Sequence, residues 1–91
     1  MNKSDLILKL SEKKGISDIT ADQVVDLIFK GFIKELENGG RIEIRGFGSF
    51  TVREYGSYMG RNPKSGKSVK VKPKRMPFFK VGKELKKMVD A

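Results

Sequence analysis

The stretch Arg41-Ile-Glu-Ile-Arg-Gly-Phe-Gly-Ser-Phe-Thr-Val-Arg53 decides the fold, because its hydrophobic side chains recur at every second residue. The even positions carry the apolar residues Ile42, Ile44, Phe50 and Val52. A period of two places these side chains on one face of a β-strand and the polar ones on the other. The segment Gly46-Phe47-Gly48 interrupts the alternation and favours a turn. We therefore predict two strands of a half-buried sheet, with Phe47 folded back on the core.

A first helix is predicted before this stretch, from Lys3 to Lys14, because leucine and isoleucine recur there at helical spacing. Asn2 and Ser4 are alternative N-caps for it. Gly15 is expected to end this helix, since glycine adopts the left-handed conformation that closes many helices.

The second predicted helix has two candidate starts. Ser17 and Thr20 are both good N-caps, and Thr20 forms a capping-box pattern with Gln23. The segment Asn38-Gly39-Gly40 ends the helix. Its apolar residues form two adjacent stripes, Ala21, Val25, Ile28, Phe32 and Leu36, and beside them Val24, Leu27, Phe29 and Ile33.

These two stripes make the second helix apolar over about half of its circumference. Such a helix must be covered on two sides, and a chain of 91 residues offers little to cover it. Two interpretations follow. Either the helix is wedged between the first helix and the sheet, or two copies of the chain associate through it.

The chain after Val52 loses its apolar alternation, and from Glu54 to Lys67 nothing anchors a strand to a core. The segment Pro63-Lys64-Ser65-Gly66 is a tight-turn pattern. Alternation then resumes, with two valines opposed by Lys70, Lys72 and Lys74. We predict a long two-stranded ribbon that leaves the body, turns near Pro63 and returns by Pro77.

A short helix is predicted from about Gly82 to Asp90, and it needs tertiary support because of its length. The apolar face of this helix carries Leu85, Met88 and Val89.

The whole pattern predicts one α+β domain with a helix-turn-helix-like pair, a three-stranded antiparallel sheet, a long β-ribbon arm and a short C-terminal helix. Residues 1–53 and 76–91 are expected to form the body, and residues 54–75 the arm.

The charge of the chain is strongly one-sided. The formal net charge is +9, yet Met1 to Gly40 holds six Lys and Arg against seven Asp and Glu. From Arg41 to Ala91 there are fourteen against four. This distribution predicts a polyanionic partner, with nucleic acid first, an anionic membrane second and an acidic protein third.

The ribbon carries most of this excess, with nine Lys and Arg between Arg53 and Lys80 and the single acid Glu54. On one strand, Lys70, Lys72 and Lys74 would lie about 7 Å apart, close to the phosphate spacing of roughly 6 to 7 Å along a nucleic-acid strand. Pro63 at the tip has two interpretations, a residue that starts a turn or a rigid apolar wedge that enters between base steps.

The composition excludes several chemistries. Cysteine and histidine are both absent, so disulfides, thiolate or imidazole metal sites and Cys or His catalysis are excluded. No cofactor, metal or small-molecule substrate is expected, and we predict that the protein is not an enzyme. The sequence contains no pattern typical of a secretory leader and no run of eighteen apolar residues, which predicts a soluble, cytoplasmic protein.

Three separated motifs resemble the HU and integration host factor family of bacterial histone-like proteins. They are Arg41-Ile-Glu-Ile-Arg-Gly-Phe-Gly-Ser-Phe50, Gly60-Arg-Asn-Pro-Lys-Ser-Gly66 and Pro77-Phe-Phe-Lys-Val-Gly-Lys-Glu-Leu85, in the order and spacing of the family. The resemblance implies an intertwined dimer in the nucleoid that bends and compacts double-stranded DNA with two arms in the minor groove. It leaves open a homodimer or a heterodimer with a related subunit.

The resemblance also implies which residues contact DNA. Arg61, Asn62 and Pro63 match the arm tip in the minor groove, and Phe47, Phe50 and Phe79 match core aromatics. Together with the basic residues of the arm, the expected DNA-binding set is Lys3, Arg45, Arg53, Arg61, Asn62, Pro63, Lys64, Lys67, Lys70, Lys72, Lys74, Arg75, Lys80, Lys83 and Lys86.

The arm departs from the family pattern, since Tyr55 and Tyr58 stand where arginines are usual and Met59 where threonine is. Fewer cations should weaken the salt-dependent part of binding.

An RNA-binding protein such as a ribosomal component is the alternative function, because it would share the charge. Scattered carboxylates such as Glu12 and Asp22 give little support to an enzyme, and the thin ribbon gives little to membrane binding.

Overall fold

The computed structural model describes residues 1–90 and confirms the α+β class. Three helices and five antiparallel strands follow one another in the order α1 (Lys3–Lys14), α2 (Asp18–Glu37), β1 (Ile42–Ile44), β2 (Gly48–Tyr55), β3 (Tyr58–Arg61), β4 (Ser68–Val71), β5 (Lys74–Val81) and α3 (Lys83–Val89).

Asn2 is the N-cap of α1. Its side-chain oxygen accepts a hydrogen bond from the Asp5 N–H at 2.9 Å, and the Asp5 carboxylate accepts one from the Asn2 N–H at 3.0 Å. This reciprocal pair satisfies two N–H groups that the helix leaves unpaired. Gly15 ends α1 at φ 62°, as the sequence predicted.

Helix α2 begins after Ser17, so the prediction of a capping box at Thr20 and Gln23 is wrong. Ser17 Oγ accepts from the Thr20 N–H at 3.1 Å and donates to Thr20 Oγ1 at 2.9 Å. The Thr20 hydroxyl is thus bonded to the true cap, and Thr20 itself lies inside the first turn. The helix ends at Asn38, and Gly39 follows at φ 77°.

Strands β1, β2 and β5 form the predicted three-stranded antiparallel sheet, with β2 in the centre. The register places Ile42 opposite Phe50, and Phe50 opposite Phe79. These residues share the sheet face that meets α2, where the Phe32 and Phe50 ring centroids lie 5.8 Å apart. Gly48 permits this close packing, because a Cβ there would lie 2.5 Å from the Lys80 carbonyl oxygen.

Few side chains are fully covered within a single chain. Among residues 1–90, the buried hydrophobic side chains are Ala21 and Val25, at 0% and 3% exposure. On the same helix, Leu27 and Ile33 remain 73% and 55% exposed. One layer of helices on one sheet therefore leaves much of α2 uncovered.

The arm is a separate two-stranded ribbon, β3 paired with β4 from Tyr58 opposite Val71 to Arg61 opposite Ser68. It gives the chain its elongated dimensions of 59 × 33 × 28 Å. The predicted ribbon is present but interrupted, because the pairing of β2 with β5 stops at Tyr55 and Lys74.

Four residues form the break between the sheet and the arm, Gly56 and Ser57 on one side and Lys72 and Pro73 on the other. Pro73 has no N–H for a ladder hydrogen bond, and Gly56 disfavours an extended strand. Both segments of the break therefore weaken strand pairing. Consequently Lys70, Lys72 and Lys74 do not follow one strand at regular intervals. Lys70 lies in β4, Lys72 in the break and Lys74 in β5.

Candidate nucleic-acid interface

The tip of the arm is a closed six-residue loop between β3 and β4. The Asn62 N–H donates to the Lys67 carbonyl at 2.8 Å, and the Gly66 N–H donates to the Asn62 carbonyl at 2.7 Å. The Asn62 side-chain oxygen accepts from the Lys64 N–H at 2.9 Å, bridging over Pro63. Gly66 takes φ 70°, which lets the chain turn back into β4. The loop thus holds Pro63 in a defined position.

Pro63 is exposed, and so are the polar residues beside it: Arg61, Asn62, Lys64 and Lys67. The arm strands pair with each other, and the tip loop is closed by its own hydrogen bonds. The structure therefore places a rigid apolar ring at the end of a projecting hairpin, with cations on both sides of it.

The root of the arm carries two cations that lie over aromatic rings. The Arg53 guanidinium carbon is 3.4 Å from the centroid of the Phe78 ring, and the Lys74 Nζ is 6.0 Å from that of Tyr55. The stacking fixes the Arg53 guanidinium on the sheet face opposite α2. Lys74 lies directly across from Tyr55 in the ladder.

Arg75 points to the body. Its Nη1 donates to the Glu37 carbonyl at 3.2 Å, its Nη2 to the Leu36 carbonyl at 3.3 Å, and its Nε lies 3.8 Å from Glu54 Oε1. The sequence suggested no partner for Arg75 in α2, because these positions are almost forty residues apart along the chain.

A basic cleft lies between β1, β5 and the start of α3. It contains three of the expected residues, Arg45, Lys80 and Lys83. Arg41 also lines it, a residue that sequence reasoning missed although the alternation places it on the same strand face as Arg45. The Arg41 Nη2 lies 2.6 Å from Glu43 Oε1, which reduces the net charge of the cleft.

Two of the expected DNA-binding residues, Lys86 and Lys3, lie outside the arm, its root and the basic cleft. Lys86 is in α3, beside a small hollow lined by Leu85 and Val89. Lys3 is in α1, where its ammonium group forms an ion pair with the Asp26 carboxylate of α2. That hydrogen bond raises the pKa of Lys3 above 10.5 and lowers the pKa of Asp26 below 3.8.

The fold and the distribution of cations define the class of protein, a polyanion-binding protein with a basic β-ribbon arm. Within residues 1–90 no cluster of three acidic, His or Cys side chains could hold a metal ion. The described helices are also too short or too polar to cross a lipid bilayer.

The comparison with known families agrees with this class. The family model described as bacterial DNA-binding protein matches residues 1–90. The chain therefore belongs to this family, the HU and integration host factor proteins, and it is an architectural DNA-binding protein by family.

Relatives from both branches of the family match over nearly their full length. Integration host factor subunit beta of Haemophilus influenzae strain PittEE is 46% identical over 91 residues, covering 99% of this chain and 97% of that protein. DNA-binding protein HU-1 of Halalkalibacterium halodurans is 40% identical over 90 residues, covering 99% and 100%. The Anabaena HU–DNA cocrystal structure matches with a TM-score of 0.87 and 32% identity, covering 98% and 97%.

Proposed function

We propose that this protein bends and compacts duplex DNA without chemical reaction, by laying its arms in the minor groove and inserting Pro63 between base steps. The observation that carries this function is the exposed Pro63 ring, held by the Asn62 loop at the tip of a basic hairpin. A flexible or buried proline could not transmit force to a base step. The similar Anabaena HU was crystallised together with DNA, which supports the same partner here.

The tip residues fit the chemistry of the minor groove. Every base pair presents acceptor atoms there, and only G·C pairs add a donor. The Arg61 guanidinium and the Asn62 side-chain NH₂ are donors, while the Asn62 oxygen is already bonded to the Lys64 N–H. Donors facing acceptors give binding with little base discrimination. Site preference then comes from how readily the DNA deforms.

The remaining cations are proposed to neutralise phosphates on either side of the bend. They are Lys3, Arg45, Arg53, Lys64, Lys67, Lys70, Lys72, Lys74, Lys80, Lys83 and Lys86. Unstacking costs a few kcal/mol per step, and these interactions with phosphates offset it. A dimer that neutralises about ten phosphates should bind with a log-affinity versus log-salt slope near −9.

Bending from two sides requires two arms, and we propose that they come from an intertwined dimer. The support is the large exposed apolar surface of α2, including Leu27 and Ile33. Residues 1–53 and 76–91 form the dimerisation body, and residues 54–75 form the arm. The second subunit is an identical chain or a related one, and the nucleoid is the proposed location.

Ring closure of short DNA tests the bend. A fragment of about 150 base pairs, near the persistence length, closes slowly under ligase unless it is bent. We expect this protein to accelerate closure strongly, and no acceleration at saturating protein would contradict bending.

Competition with structured RNA distinguishes DNA bending from the alternative function, since clear preference for RNA over nicked duplex DNA would favour an RNA-binding protein.

A further inference from the structure

The side chain of Arg75 connects the root of the arm to the end of a helix. Within residues 1–90, its two bonds to α2 are the side-chain hydrogen bonds that join a strand to a helix. All other side-chain hydrogen bonds in that part of the chain, apart from those within ion pairs, span three residues or fewer. The orientation of Arg75 is therefore a specific feature of the arm root.

The end of α2 suits a guanidinium group in two ways. The last carbonyls of a helix lack partners within the helix and carry the negative end of its dipole. The Leu36 carbonyl also accepts from the Gly39 N–H at 3.0 Å, and its second lone pair accepts from Arg75. A planar guanidinium can donate to two neighbouring carbonyls at once, here Leu36 and Glu37. The guanidinium lies beside Gly39, where a Cβ would be in ordinary van der Waals contact with Arg75 Nη2 at 3.4 Å.

The same guanidinium also reaches the opposite strand of the root. Arg75 pairs with Glu54 in the β2–β5 ladder, and its Nε lies 3.8 Å from the Glu54 carboxylate. The next pair outward, Tyr55 with Lys74, is the last before the break at Gly56, Ser57, Lys72 and Pro73. Arg75 thus ties both root strands to α2 immediately inside the point where the ladder stops.

We infer that Arg75 is a positioning residue, which fixes the direction of the arm relative to the body and thereby sets the bend angle of the DNA. The sequence had suggested that Arg75 neutralises a phosphate. The two roles differ in a measurable way, because a phosphate ligand contributes to the salt slope of binding and a positioning residue does not. The role in bending rests on the proposed function. The contacts of Arg75 with Leu36, Glu37 and Glu54, which we call the clamp, are a property of the free protein.

The first test needs no DNA. Hydrogen exchange of free Arg75→Gln protein should show faster exchange at residues 36–40, 53–56 and 73–76, with residues 20–26 of α2 unchanged. The matched control is Lys67→Gln, which removes a tip cation that forms no ion pair within residues 1–90. It should leave all these segments as in the wild type. Unchanged exchange at the arm root of Arg75→Gln would refute the clamp.

The second test measures bend angle and salt slope on the same DNA fragment. For Arg75→Gln we expect a smaller or more widely distributed bend angle with an unchanged salt slope. For Arg75→Lys we expect the bend angle to recover only in part, because an ammonium group keeps the charge but lacks the planar geometry of a guanidinium. For Lys67→Gln we expect the slope to become shallower by roughly 0.9 for each phosphate that is no longer neutralised. A change of that size for Arg75→Gln with a normal bend would overturn the positioning role.

These tests separate the clamp from the bending function. If the wild-type protein fails to bend DNA, the proposed function is wrong, yet the exchange measurement still decides whether Arg75 holds the arm root. If bending occurs and the exchange pattern of Arg75→Gln matches the wild type, the clamp is wrong and the proposed function stands.

Discussion

Phe50 and Phe79 face each other across β2 and β5, with ring centroids 4.8 Å apart and planes inclined at 47°. This pair links the central strand to the strand that returns from the arm. Phe32 extends the cluster to α2, and Phe47 extends it to the β1–β2 turn, at 5.8 and 5.5 Å. Aromatic packing therefore joins β5, the strand that returns from the arm, to β2, to α2 and to the β1–β2 turn.

Truncation of Phe79 should destabilise the body. Buried Phe→Ala changes cost about 3–5 kcal/mol, and since Phe79 is 37% exposed in one chain we expect a smaller loss of about 2 kcal/mol. Denaturant unfolding measures this loss for Phe79→Ala. The control is Met59→Ala on the arm, where we expect a change within about 0.5 kcal/mol. Equal effects of the two changes would contradict an aromatic core at the sheet.

Dimerisation predicts a melting temperature that depends on protein concentration. If folding and association are coupled, a tenfold rise in concentration adds about 1.4 kcal/mol to the stability of the dimer. For a unit of this size the melting temperature should rise by roughly 3–5 °C per tenfold step. Calorimetry over a hundredfold range, with mass from sedimentation, measures it. A constant melting temperature with monomer mass would exclude the dimer.

The Lys3–Asp26 pair predicts a pH dependence of stability. The pKa of Asp26 lies below its unfolded value of 3.8, because its carboxylate accepts a hydrogen bond from Lys3. Its contribution is therefore present above pH 3.8 and lost as the pH falls through the lowered value. Lys3 is solvent-exposed and Asp26 is partly exposed, so solvent screening keeps the contribution small.

Unfolding of Asp26→Asn across a pH range from about 2 to about 7 checks this sign. The variant should be slightly less stable than the wild type at neutral pH, and the difference should vanish at low pH. Glu12→Gln, which changes a carboxylate without an ion pair within residues 1–90, should show no such convergence. A difference that persists at the acid end would show that the substitution acts by another route than charge.

Much of the fold followed from local patterns, and the failures have identifiable physical causes. The period of two at Arg41 to Arg53 and the glycines after each of the first two helices predicted the elements correctly. Thr20 forms a capping-box pattern with Gln23, but Ser17 is the cap because its Oγ accepts from the Thr20 N–H, and the pattern of residue types does not decide between the two. The arm break depends on Pro73, which has no N–H for a ladder hydrogen bond, and on Gly56 across from it, and the alternation of side chains does not reveal their effect.

The exposed cluster of cations at the tip could be predicted from charge and turn pattern alone, while its contact with DNA stays a prediction. The candidate site was less predictable where cations have intramolecular partners. Arg53 on Phe78, Lys3 with Asp26 and Arg75 on α2 all depend on contacts between distant segments. A sequence shows that these side chains are basic, but only tertiary packing shows which groups they face.

Because Tyr55 and Tyr58 carry no charge, we expect the salt-dependent part of the DNA affinity to be smaller than it would be with arginines at these positions. Changing Tyr55 and Tyr58 together to arginine adds four cations to a dimer of two identical chains, and its salt slope should become steeper by up to ~3.6 if each reaches a phosphate. Affinity at low salt should rise. The Tyr55→Phe, Tyr58→Phe double variant is the control, since it removes the hydroxyls without changing charge. An unchanged slope for the arginine variant would mean that this part of the arm does not contact phosphates.

Fluorescence energy transfer between the ends of a short DNA fragment tests the insertion of Pro63 most directly. Saturating wild-type protein should bring the ends together, and Pro63→Ala should lower the transfer efficiency substantially while affinity falls less. Ser65→Ala in the same loop keeps the Pro63 ring and loses only the hydrogen bond from the Lys67 N–H to Ser65 Oγ at 3.3 Å, and it should behave as the wild type. An end-to-end distance for Pro63→Ala equal to that of the wild type would contradict insertion of Pro63 between base steps.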